Sequence, residues 1–117
     1  MGERGISEGS RKDIIIMTIF QILQTLNIPC VYSHFRKDAT VTPPYIVYVG
    51  SGQDTFLADN TIYHKRNTYR IEYYFTEKDE SKEDLIESTL LSYGYIYDKS
   101  DDTWIESEGV FVIYYFV

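Results

Sequence analysis

Tyr69-Arg70-Ile71-Glu72-Tyr73-Tyr74-Phe75 is the stretch on which the reading of this chain turns. Tyr69, Ile71, Tyr73 and Phe75 fall on one side of a period of two; Arg70, Glu72, Tyr74 and Thr76 fall on the other. That alternation predicts a half-buried strand with one apolar and one mixed face. Thr76-Glu77-Lys78-Asp79 follows at once and opens a helical pattern, so a strand-to-helix corner sits near the middle of the chain.

Working outward, the helix after this corner is expected to begin near Asp79 or Ser81. Ser81 and Asp84 have the spacing of a capping box with a shorter acid. Leu85, Ile86, Leu90 and Tyr93 form its apolar stripe, Lys82, Glu83, Glu87 and Ser88 its solvated face, and Gly94 its stop. Beyond it, Tyr95-Ile96-Tyr97 reads as a strand, Lys99–Asp102 as a tight turn and Thr103–Glu108 as the hairpin partner. Val110–Val117 is apolar at nearly every position, which predicts a central strand covered on both sides.

On the N-terminal side, Tyr45–Val49 reads as a strongly apolar strand approached through Pro43-Pro44, a position where proline is tolerated. Gly50–Asp54 has the composition of a flexible loop, Thr61–Lys65 that of a short strand, and Arg66-Asn67 that of a turn into the strand at 69. Cys30–Phe35 is a short extended run and Arg36–Thr42 a polar loop. A first helix is expected over Ile14–Leu26, capped by Ser10 and favoured by Asp13 at its positive end. Ile15, Ile19, Ile22, Leu23 and Leu26 make its stripe, widened by Ile14, Ile16, Met17 and Phe20 beyond what one face can bury. Asn27 and Pro29 end it. Residues 1–10 read as a loose arm and 11–117 as one domain, of α+β class: a single antiparallel sheet with two helices packed against it.

The chain has 117 residues, enough for one core. Its 12 Tyr, 6 Phe and single Trp suit either a sheet with a wet outer face or a protein–protein interface. A net charge of −7 disfavours sequence-independent nucleic-acid binding. The single Cys30 leaves no internal disulfide. No signal-peptide pattern opens the chain, and Ile14–Ile28 is too short and too interrupted to span a bilayer; the expectation is a soluble protein made inside the cell.

The residue types that carry chemistry do not gather in the sequence. His34 and His64 stand apart, without Cys or carboxylate partners at zinc-ligand spacing. Cys30 has no local base and reads as an inert thiol. Asp98, Asp101 and Asp102 lack the alternating spacing, central Gly and final Glu of a calcium loop. Glu106 and Glu108 share one side of a predicted strand without a pocket signature. Gly50-Ser51-Gly52 lacks the length and the lysine of a phosphate loop. No catalytic residue, metal or cofactor is expected, and the chain is read as a non-enzyme. Arg36-Lys37 and His64-Lys65-Arg66 are small basic patches on an acidic chain, either solvated turns or docking points for an acidic surface.

Several motifs have an order and spacing seen together elsewhere. They are Pro43-Pro44-Tyr45-Ile46-Val47-Tyr48, Ala58-Asp59-Asn60 with Tyr63, and Tyr69-x-Ile71-Glu72-x-Tyr74 followed by Lys78-Asp79. Glu83 with Ile86-Glu87, Leu90-Leu91-x-x-Gly94, and Ile105-Glu106-Ser107-Glu108 before an aromatic last strand complete the set. Over residues 43–117 the chain resembles the tail completion, or tail terminator, proteins of long-tailed bacteriophages and prophages of Gram-positive bacteria. The resemblance implies an α+β fold and a structural role: a ring of six copies that caps the tail tube and docks it to the head connector or stopper. It implies self, tail tube protein and connector as partners, with no membrane and no specific nucleic acid. It also places the protein in the virion, after assembly in the host bacterial cytoplasm. Interface positions are expected in the loops, at Arg36, Lys37, Gly50, Gln53, Asp54, Asp59, Asn60, Tyr63, Lys65 and Arg66. The alternative is a small acidic monomeric module, inhibitor-like, that binds one protein through its tyrosine-rich sheet.

Overall fold

The computed structural model describes residues 17–35, 41–58 and 61–117, with 54–58 and 61–66 as backbone only. Eight elements follow one another: α1 (Ile19–Gln24), β1 (Cys30–Tyr32), β2 (Tyr45–Ala58), β3 (Thr61–Phe75), α2 (Glu80–Ser92), β4 (Asp98–Lys99), β5 (Thr103–Ile105) and β6 (Val110–Phe116). The class is α+β, as the patterning predicts, but the sheet is mixed rather than purely antiparallel. Its order is β1-β2-β3-β6-β4, with β5 also on β6.

The departure lies at β1, which runs parallel to β2 with Cys30, Val31 and Tyr32 opposite Ile46, Val47 and Tyr48. Parallel neighbours need a long crossover. The chain between Tyr32 and Tyr45 supplies it, so the short extended run at Cys30 adds to the far edge instead of forming a hairpin.

The organising strand behaves as its alternation predicts. Ile71, Tyr73 and Phe75 are buried on one face, beside Ile46 and Tyr48 of β2 and Ile113 and Tyr115 of β6. Ile19, Leu23 and Leu26 around α1 and Ile86 and Leu90 of α2 close over this face as one core. β6 is central, between β3 on one side and β4 and β5 on the other. Ile113 and Tyr115 lie under the helices, and Val110 on the opposite side is buried as well. No described helix lies over the opposite face, where Val112 is buried between its register partners Tyr74 and Thr103 while Phe116 is 46% exposed.

α1 starts later than its sequence signals suggest, while α2 starts where expected, between Asp79 and Ser81. α1 is capped by Thr18, whose hydroxyl accepts from the Gln21 N–H while the Gln21 side chain accepts from the Thr18 N–H. This capping box puts the start at Ile19; Ser10 and Asp13 lie outside the described residues, as does the arm at 1–10. Asn27, at φ 58°, turns the chain out of the helix. α2 is capped by Asp79, whose carboxylate accepts from the N–H groups of Ser81 and Lys82, and not by Ser81. An Asp directly before the helix reaches these two donors, whereas Ser81 is already inside the first turn. The helix stops at Gly94 as expected (φ 87°), with Tyr95 N–H bonded to Leu90 O and Gly94 N–H to Leu91 O.

The main corrections concern Gly50–Asn67. Neither the loop at Gly50–Asp54 nor the turn at Arg66-Asn67 exists: β2 continues to Ala58, β3 begins at Thr61, and Asp54 pairs with Arg66 and Gln53 with Asn67. Gly50 and Gly52 are absorbed in a register shift, with Gly52 at φ 133°. A bulge is one of the places where glycine serves a strand instead of ending it. Near the C-terminus, Tyr95–Tyr97 is not a strand, and Thr103–Glu108 shortens to Thr103–Ile105 followed by a turn. Ile96 is 81% exposed and Ile105 begins the turn through its carbonyl, which accepts from Gly109 N–H.

Candidate functional site: a two-stranded ribbon and an open sheet face

Six of the predicted site residues, Gly50, Gln53, Asp54, Tyr63, Lys65 and Arg66, come together on one feature. Beyond Gly50 and Tyr69, β2 and β3 pair only with each other among the described residues and run on as a two-stranded ribbon. Its cross-strand pairs are polar. The Ser51 hydroxyl donates to Thr68 Oγ1 at 2.9 Å, and Gln53 Nε2 donates to Asn67 Oδ1 at 2.9 Å. Tyr63 falls in the second register shift, between the pairs Phe56–His64 and Leu57–Ile62. Gly50, at the root of the ribbon, lies beside the Tyr32 hydroxyl, which a β-carbon there would meet at 3.6 Å. Arg36, Lys37, Asp59 and Asn60 lie outside the described residues.

Cys30, His34 and the paired carboxylates are not brought together among the described residues. Cys30 packs against the helix-covered core, and burial pushes its thiol up to about 11. His34 lies on the opposite face of the sheet, and the backbone of His64 is out on the ribbon. Glu106 and Glu108 sit in the turn after β5 rather than on one side of a strand; Glu106 accepts from Trp104 Nε1 at 2.6 Å. Asp98 belongs to β4, and Asp102 holds Lys78 at 3.0 Å. Among the described residues no group of three or more His, Cys, Asp and Glu is placed to hold a metal ion. No helix among them is long and apolar enough to cross a membrane.

Two polar clusters escaped the sequence reading. In the first, Glu83 is buried rather than solvated, only 2% exposed on the inner side of α2. Lys78 Nζ lies 2.8 Å from its Oε2 and Lys99 Nζ 3.0 Å from its Oε1. Lys99 also reaches Glu87 at 2.7 Å, and Glu87 accepts from the hydroxyls of Tyr97 and Tyr115. Burial opposes ionisation of Glu87, but the bonds from Lys99, Tyr115 and Tyr97 outweigh it and lower the carboxyl below its ordinary range. The nearby Tyr73 hydroxyl is buried without a hydrogen-bond partner; burial, then the charges of Asp79 and Glu83, push it up to about 12. The signal for this cluster was the i, i+4 pair Glu83–Glu87 bracketing Ile86 on the core side; its lysines come from distant segments.

The second cluster lies on the sheet face that no described helix covers. Glu72 is buried there and accepts from Arg70 Nε and the Tyr74 hydroxyl, each at 2.7 Å. Tyr74 stacks on Tyr45 with ring centroids 4.9 Å apart, and Phe35 meets Tyr45 edge-on at 5.3 Å. The Arg70 guanidinium sits 6.0 Å from the centroid of the Tyr114 ring. Comparison of the chain with protein-family models, curated proteins and solved structures yields no match.

Proposed function

We propose that this chain is a structural, non-enzymatic protein of a bacteriophage head–tail joint, which caps the tail tube and docks it to the head connector as a ring of identical copies. The observation that carries the reading is the order and spacing of the motifs from Pro43 to the aromatic last strand. The ribbon fits such a role. A two-stranded β-ribbon standing alone in water is marginal at best. Polar pairs such as Ser51–Thr68 and Gln53–Asn67 hold its register without giving it a core, so a neighbouring protein surface is the natural place for it to gain one. In a head-to-tail ring each subunit needs two different faces; the ribbon and the β4/β5 edge of the sheet are two distinct surfaces that could serve.

The experiment is genetic. Deleting this gene from a phage or prophage that carries it is expected to leave full heads and finished tails unjoined in electron micrographs, with joining restored by the gene supplied in trans. Complete infectious virions from the deletion strain would overturn the proposal.

A second reading, a monomeric module that binds one protein through a tyrosine-rich sheet, is favoured by the open face bearing Tyr45, Tyr74 and Tyr114. The two readings part on self-assembly, which the module does not need.

A further inference from the structure

The sheet face that no described helix covers carries a recess of about 250 Å³. Phe35, Tyr45 and Tyr74 contribute its rings, and Glu72, Glu108 and His34 its polar groups. We propose that this recess is a binding site for an arginine side chain presented by a protein partner. The inference stands on this geometry and not on the head–tail reading.

Three features select that ligand. The wall is aromatic, and the faces of tyrosine and phenylalanine rings attract cations, guanidinium above all because it also stacks. Two of the polar groups are carboxylates, which guanidinium engages through paired N–H donors. Glu108 is the available one: it stands in the exposed turn after β5, close enough to the Tyr45 and Tyr74 hydroxyls to oppose their ionisation. Glu72 is already held by Arg70 and Tyr74, so among the described residues Glu108 is the carboxylate of the recess without an ion-pair partner. A small metal ion is the poorer match, since His34, Glu72 and Glu108 do not form a ligand group.

The same face already displays the chemistry one strand position away. Arg70 bonds a carboxylate, Glu72, while its guanidinium lies over a tyrosine, Tyr114. The recess offers a tyrosine pair and a carboxylate with no resident cation among the described residues. At about 250 Å³ it has room for one side-chain head group but not for a folded element.

The test is an NMR titration of the full chain with a blocked Gly-Arg-Gly peptide, with the isosteric, uncharged Gly-citrulline-Gly peptide as the control. Saturable shifts confined to the amides of His34, Phe35, Tyr45, Tyr74 and Glu108 are expected for arginine, at an affinity on the order of 1 mM for a single side chain. Glu108→Gln, a change in an exposed turn that leaves the core untouched, is expected to weaken binding about 5- to 10-fold with an unaltered amide spectrum elsewhere. The proposal is overturned if the citrulline peptide gives equal shifts, if no shift saturates, or if the shifts map to the acidic surface of α2 instead.

Discussion

Glu83 shows how much a single residue can hide from a periodicity argument. It is a charged side chain at 2% exposure whose two partners, Lys78 and Lys99, remain 44% and 34% exposed. That asymmetry sets the outcome of substitution. With Glu83→Ala both lysines can turn to water, so the cost is the lost pairing and a small void, about 2–3 kcal/mol by urea denaturation. Replacing both lysines by methionine strands a carboxylate inside the protein and costs more, about 3–5 kcal/mol. The reverse ranking would show that the lysines, not the acid, are the strained partners. Glu87 gives the pH dependence. Its folded carboxyl is lowered despite burial, through bonds from Lys99, Tyr115 and Tyr97, so its contribution is complete above the unfolded value near 4.5 and is lost as pH falls through the folded value. Lys99 is raised even though burial works against its charge, so its contribution holds below 10.5 and is lost only in strong alkali. Thermal unfolding is therefore expected to show a flat optimum from about pH 5 to pH 9 and a fall below about pH 4.5, and Glu87→Gln should flatten the acid limb.

Among the elements, the ribbon separates most cleanly from the rest. The described core draws on β2 only through Tyr48 and on β3 only from Tyr69 onward. Joining Gly50 to Tyr69, which face each other in register, through an Asn-Gly turn removes the ribbon without touching that core. The excised protein is expected to stay folded, with a melting temperature within about 5 °C of the full chain by circular dichroism. Unfolding on excision would show that the ribbon is part of the core's support. The organising strand, the central β6 and the helix stop at Gly94 were legible because burial alternates along a strand and glycine alone readily takes φ 87° at a helix end. The ribbon was illegible for the opposite reason: Gly50, Ser51, Gly52, Arg66 and Asn67 follow no apolar period, since cross-strand pairing and not burial sets their conformation. Parallel β1 was hidden too, because three extended residues carry no sign of which neighbour they will join. Of the candidate site, Thr61–Lys65 reads as a strand from the sequence while Gly50–Asp54 and Arg66-Asn67 do not, and the Glu72 cluster needs the register of β2 and β3 to bring Tyr45 onto Tyr74.

At the scale of the whole molecule, charge is unevenly placed. Residues 76–109 hold 11 of the 18 acidic side chains and 3 of the 11 basic ones, so the segment that carries α2, β4 and β5 is strongly acidic. Repulsion between copies that each carry a net charge of −7 disfavours assembly at low ionic strength, so added salt should promote it. The central claim is that this protein works as a ring. It is tested most directly by light-scattering mass measurement of the full chain across protein concentration and salt, with electron microscopy of the largest species. A closed ring of about 82 kDa, six times the 13.7 kDa chain, is expected to grow in with concentration and salt. A strict 13.7 kDa monomer under every condition would contradict it.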